Sequence, residues 1–211
     1  MNKVCFILPS IKTGGGIRVV IELSNELIEK NIAVDIIYPN NSTDINTFKI
    51  SKRVTFISVG RTATTKIDKL RNLISTFKYI NKNYNNETII FTDPIMSICM
   101  PFIKNNKIYR FIQADDYNIF NDLFLLKNKL FLSIYKSLTK ISYTYKIEYI
   151  FNSKYTYDMF IKFSKRRDIP YKLVYPSINS LVFFDKNIRP DNQINICLVA
   201  RKHPMKGLID F

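Results

Sequence analysis

The sequence predicts an α/β protein: a Rossmann-like parallel sheet flanked by helices, followed by the start of a second such domain. Three observations carry this. Short apolar runs recur along the chain, Pro or polar turn residues close them, and stretches of 3.6-residue periodicity separate them. The 211 residues suffice for one filled domain and a fragment of another.

The opening unit is the clearest. Lys3 to Leu8 reads as a buried parallel strand stopped by Pro9, and Ser10 to Gly16 as a loop ending in Gly14-Gly15-Gly16. A helix follows with Ile17, Val20, Leu23, Leu27 and Ile28 on one side and Arg18, Glu22 and Glu29 mostly off it. Asn31 closes it, and Ala33 to Tyr38 is the second strand, ended by Pro39. Strand, glycine loop, helix and strand in this order form a βαβ unit.

The alternation continues with a strand at Val54 to Val59 and a helix at Lys66 to Asn81, whose Ile67, Leu70, Ile74, Phe77 and Ile80 line up. Thr88 to Thr92 is a strand closed by Asp93-Pro94, and Ile95 to Ile103 a short helix interrupted by Pro101. Lys107 to Ile112 is a strand with Gln113-Ala114-Asp115-Asp116 at its carboxyl end. A long helix from Ile119 to Thr144, a strand at Glu148 to Phe151, a helix capped by Asn152-Ser153 and a strand at Tyr171 to Tyr175 complete the domain. The first domain is expected over residues 1–178, a linker with turn chemistry over 179–193, and the opening of a second domain over 194–211, where Ile194 to Ala200 is a fresh strand.

Composition narrows the class. Hydrophobic residues make up 46% and charged residues 23%, which excludes disorder and low complexity. No apolar run approaches the roughly 20 residues that cross a bilayer, and the N-terminus lacks a secretory h-region, so a cytoplasmic protein is expected. Cys5, Cys99 and Cys197 are widely spaced in apolar runs and read as reduced core residues rather than a disulfide framework or a metal cage. The net charge of +15 suits an anionic partner, although a sequence rich in Lys, Asn, Ile, Tyr and Phe also fits AT-rich coding.

Three groups of residues carry candidate chemistry. Gly14, Gly15 and Gly16 between strand and helix let backbone N–H groups approach a phosphate or sugar, with Arg18 just inside the helix. The spacing departs from the dinucleotide motif, since Val19 stands at the third glycine position, and Gly16-Ile17-Arg18 is not a Walker A ending. Gln113, Asp115 and Asp116 sit at a strand's carboxyl end, where open α/β sheets bind ligands and a carboxylate can orient a hydroxyl or take its proton. Asp115 or Asp116 could instead cap the following helix, an alternative that bears mainly on Asp116. Arg201 and Lys206, at a strand–helix junction, can bind a diphosphate, with the single histidine, His203, reading as a surface residue. On the long helix, Leu123, Leu126, Leu130, Ile134, Leu138 and Ile141 form a stripe and Lys127, Lys129, Lys136 and Lys140 sit off it. This fits a core helix with a basic face, or peripheral docking on an anionic membrane.

Taken in order, the Pro9…Gly14-Gly15-Gly16 loop, Gln113-Ala114-Asp115, Phe151-Asn152-Ser153-Lys154, Val174-Tyr175-Pro176-Ser177, Leu198-Val199-Ala200-Arg201, Lys206-Gly207 and Asp210 resemble GT-B glycosyltransferases of family 4. The resemblance implies a retaining enzyme of two Rossmann-like domains. The first faces the acceptor, a glycan or lipid-linked sugar in polysaccharide or lipopolysaccharide synthesis, and the second binds the nucleotide-sugar donor. It also implies that Arg201 and Lys206 hold the donor diphosphate without a metal or other cofactor, and that Gly14 to Gly16 face the donor phosphates. Two departures stand out. Gln113 occupies a position where the family often has His, and the family's Glu-x7-Glu pair has no counterpart within the 211 residues. With most of a donor domain absent, this stretch alone is expected to be inactive.

Two other readings compete. An NAD-type Rossmann oxidoreductase is disfavoured by the glycine spacing and by Tyr38-Pro39-Asn40 where an acidic residue should end the second strand. A basic, membrane-associated, non-catalytic module is the other. Nucleic acid is not an expected partner, since no helix-turn-helix, zinc or RNP-type signature is present.

Overall fold

The computed structural model describes residues 3–41, 48–115 and 129–176. Its centre is a seven-stranded sheet in which every pairing is parallel, in the order β3-β2-β1-β4-β5-β6-β7. The strands are β1 (Lys3–Ile7), β2 (Ala33–Pro39), β3 (Thr55–Val59), β4 (Thr88–Phe91), β5 (Lys107–Ile112), β6 (Glu148–Phe151) and β7 (Tyr171–Leu173). This is the doubly wound order with one strand added. The chain runs outward from β1 to β3 and then returns to β4, so the order reverses between β1 and β4.

Paired residues in register share a face of the sheet. Cys5 and Ile7 of β1 lie with Ile37, Ile89 and Phe91 on one face. There they pack with Phe77 and Ile80 of α2 (Lys66–Asn83) and Met96 of α3 (Pro94–Ser97). Phe6, Leu8, Val34 and Ile36 occupy the other face under Val20 and Ile28 of α1 (Gly15–Glu29). Further along, Tyr149 and Phe151 pack with Tyr143, which follows α4 (Lys129–Ser142), and with Phe160 and Phe163 of α5 (Lys154–Ser164). The central strands are near-continuous apolar runs because both of their faces are covered.

Most expected elements appear within a residue or two, and the differences have physical causes. Gly15 and Gly16 belong to the first turn of α1, not to the loop before it. The segment after Asp93 splits into the four-residue α3 and a 3₁₀ turn at Met100–Phe102, because Pro101 cannot donate to a continued α-helix. On α2, the apolar line does not lie uniformly inward: Asn72, Thr76, Phe77 and Ile80 are buried, whereas Ile67, Leu70 and Ile74 are exposed. Asn72 sets this rotation, since its Nδ2 donates to the carbonyls of Asn40 (2.8 Å) and Arg61 (2.7 Å). The described part of the long helix differs likewise. Thr139 and Ser142 are buried and bond to backbone carbonyls of their own helix, so small side chains let α4 lie close to α3 while Ile134 and Ile141 face outward.

Cys5 and Cys99 are free thiols. Asp116, residues 119–128 of the expected long helix, Cys197, the expected linker and the expected second domain with Arg201, His203 and Lys206 lie outside the described residues.

Candidate functional site

Where the strand order reverses, the loops after β1 and β4 depart in opposite directions, and a crevice opens above the strand ends. A cavity of about 400 Å³ occupies it, within the range of small-molecule sites. Leu8, Pro9 and Ser10 follow β1, Thr92, Asp93 and Pro94 follow β4, and Arg110, Ile112, Gln113 and Ala114 come from β5 and its end. Gly14, Gly16 and Ile17 close it from α1, and Tyr135 from α4.

Each wall is fixed locally. Thr92 ties the end of β4 to β1, its backbone N–H and Oγ1 both donating to the Ile7 carbonyl at 3.3 and 3.1 Å. Asp93 caps α3, its Oδ1 accepting from the N–H groups of Ile95 (2.8 Å) and Met96 (3.2 Å). Gly14 is the N-cap of α1 and supplies no side-chain cap, and no acidic residue stands in the first turn. The positive end of the helix dipole is therefore uncompensated locally where it meets the cavity. A side chain at position 16 would fill this space, since a Cβ there would stand 3.7 Å from Gln113 Oε1.

Gln113 is held by its backbone, whose carbonyl accepts from Asn152 Nδ2 at 3.2 Å. Asn152 Oδ1 in turn accepts from Thr156 Oγ1 at 2.8 Å, so the capping box of α5 anchors the end of β5. The Gln113 side-chain Oε1 is buried with no partner among the described residues. Buried acceptors are nearly always paired in native structures, so an unpaired one facing a cavity marks a place for a ligand or water donor.

The expected residues separate here. Gly14, Gly16 and Gln113 line the cavity, whereas Gly15, exposed like Gly16, does not. Asp115 is turned toward α5 and accepts from the Tyr155 hydroxyl. Arg18 approaches Glu22 on the next turn at 3.9 Å and lies over the Phe48 ring.

Sequence reasoning passed over Arg110, a charge inside the otherwise apolar segment Ile108-Tyr109-Arg110-Phe111-Ile112. It is 2% exposed and lines the cavity. Its Nη1 donates to the carbonyls of Phe91 (3.2 Å) and Phe111 (2.9 Å), and its Nε is buried without a partner. Burial pushes the neighbouring Tyr149 phenol up to about 12, against the pull of Arg166 and Arg110. The signal was present: a cation within a strand buried on both faces needs a reason. Among the described residues, no group of three or more His, Cys, Asp or Glu side chains is placed to hold a metal.

Solved structures share this architecture. Sucrose-phosphate synthase from Thermosynechococcus elongatus superposes with a TM-score of 0.64 at 14% identity, over 87% of this chain and 50% of that one. WaaG, a glycosyltransferase involved in lipopolysaccharide biosynthesis, gives 0.57 at 11%, over 83% and 45%. A UGT transferase from Siraitia grosvenorii in complex with UDP gives 0.52 at 10%, over 85% and 52%. The chain has the fold of a GT-B glycosyltransferase domain. It spans about half the length of these structures, and at such identities the likeness establishes the fold alone. No protein-family profile matches the sequence, and no curated protein matches it.

Proposed function

We propose that this GT-B domain is the acceptor side of a retaining, family 4 glycosyltransferase that moves a sugar from a nucleotide-sugar donor to a polysaccharide, lipopolysaccharide or lipid-linked acceptor. The observation that carries the reading is the switch-point cavity, where the unpartnered Gln113 Oε1 faces Gly16 and the uncapped start of α1. In this reading the N–H groups around Gly14 to Gly16, with Arg18 nearby, meet donor phosphate oxygens. Gln113 orients a hydroxyl but, being an amide, takes no proton. In this reading Asp115, which the Tyr155 hydroxyl holds toward α5, and Asp116 are the carboxylates proposed for that step. Arg201 and Lys206 neutralise the departing diphosphate in place of a metal.

Docking on an anionic membrane belongs to the same proposal. Exposed Ile67, Leu70 and Ile74 on α2 run beside Lys66, Arg71 and Lys78, and Ile134 and Ile141 on α4 beside Lys140, the pairing of apolar and basic residues that interfacial helices use. No described helix is long and apolar enough to cross a membrane.

The test is turnover of the whole gene product on a panel of nucleotide sugars. Arg201→Ala or Lys206→Ala should lower turnover by roughly 10²–10³-fold, as loss of one stabilising donor does. Unchanged kinetics in both variants would remove the assignment.

A further inference from the structure

Arg110 shares its sheet face with its register partners Phe91 and Tyr149, both fully buried. A guanidinium placed there loses its hydration, and a counter-charge normally restores the balance. Among the described residues none does: no carboxylate forms an ion pair with Arg110. The contrast with Asp35 is instructive, since that buried carboxylate receives both Lys3 Nζ (3.0 Å) and the Tyr84 hydroxyl (2.6 Å). Two carbonyl dipoles steady one end of Arg110, and its Nε remains an unused donor. The same cavity holds an unused acceptor, Gln113 Oε1.

We infer that the cavity is a subsite for a sugar bearing an anionic substituent, with phosphate or carboxylate oxygens on Arg110 and a sugar hydroxyl donating to Gln113 Oε1. The sugar half of this inference rests on the glycosyltransferase reading; the anion half rests on Arg110 alone. Leu8, Ile17 and Ile112 make much of the surrounding wall, and in such a setting guanidinium–anion bonds are strong. The uncapped start of α1 adds its positive end. Asp93, the carboxylate on the same wall, has its Oδ1 engaged by two α3 N–H groups.

The test is calorimetric titration of the 211-residue protein with glucose 6-phosphate, glucose, inorganic phosphate and uridine diphosphate. Glucose 6-phosphate should bind at least about tenfold more tightly than glucose or phosphate alone. Arg110→Met, an apolar replacement of the kind buried ions tolerate, should abolish that preference. Gln113→Glu keeps the arginine but adds a negative charge to the cavity lining, so it should weaken glucose 6-phosphate binding while leaving glucose binding much less affected. Displacement of glucose 6-phosphate by uridine diphosphate assigns the anion to the donor, and simultaneous binding assigns it to the acceptor; either supports the subsite. Equal affinity for glucose and glucose 6-phosphate, a preference surviving in Arg110→Met, or no binding of any probe overturns it. Unchanged kinetics in Arg201→Ala and Lys206→Ala would leave Arg110-dependent anion binding standing, so the two readings fail separately.

Discussion

Replacing Gly60 with Ala isolates one position where the chain needs glycine. Gly60 follows β3 with φ at +96°, a conformation that L side chains rarely adopt. A Cβ there would lie 2.1 Å from Asn72 Oδ1. Left-handed backbone strain alone is about 1–2 kcal/mol. Relief of the clash must move Asn72, whose bonds to the Asn40 and Arg61 carbonyls contribute about 1 kcal/mol each. The expected loss is about 3 kcal/mol, a fall of about 6–12 °C in Tm for a chain of this size. Thermal and urea unfolding followed by circular dichroism measure it. The mechanism also predicts coupling: Asn72→Ala removes the Oδ1 and Cγ atoms that a Cβ at position 60 would strike, and the two Asn72 bonds are lost only once in Gly60→Ala/Asn72→Ala, so the double variant should lose about 2 kcal/mol less than the two singles combined. A Gly60→Ala protein within about 0.5 kcal/mol of the parent, or strict additivity in the cycle, would refute the argument.

Alkaline pH should weaken the fold. Burial raises the thiol of Cys5 and the phenol of Tyr84, and the Asp35 hydrogen bond raises Lys3. All three hold their protons more tightly folded than unfolded, so the stability they add is complete below their unfolded values and falls as pH climbs past roughly 8.5 to 10.4. Urea midpoints measured from pH 7 to 11 should decline, Tyr84→Phe should flatten the upper part of that decline, and a level profile would contradict the assignment. Ser153→Ala removes the side-chain acceptor for the Thr156 N–H (3.1 Å) and should lower stability by about 1 kcal/mol. Because the same capping box steadies Asn152 against the Gln113 carbonyl, amide exchange at the end of β5 should quicken as well.

The sheet was legible because local chemistry and burial agree along it. Each strand reads as an apolar run closed by a turn residue, and Thr65 and Ser153 cap the helices that follow them. The helix faces were less legible. Periodicity places Ile67, Leu70 and Ile74 on one stripe with Phe77, but the two bonds of buried Asn72 turn that stripe outward, and such bonds form only when β2, the β3 turn and α2 have met. Gly14, Gly16 and Gln113 could be singled out because strand ends can be counted from sequence, and the structure places these three, without Gly15, on one cavity. Arg110 was not, since its meaning depends on which groups surround it and which do not.

Why these particular residues meet follows from the topology. Between β1 and β4 the chain turns back on itself, so the segments after both strands diverge and leave the tips of the central strands uncovered. Any residue at those tips lies at the bottom of an apolar well, with α1 pointing its N-terminus across the opening. A polar atom there that gives up water without gaining a protein partner costs about 1–3 kcal/mol. The fold carries this at Gln113 Oε1 and at Arg110 Nε, one acceptor and one donor on a single cavity. A ligand that supplies a hydroxyl to the first and an anionic oxygen to the second returns both contributions at once. Its recognition therefore depends on the two groups being left unpaired by the protein, and a variant that pairs them internally gains stability at the expense of binding.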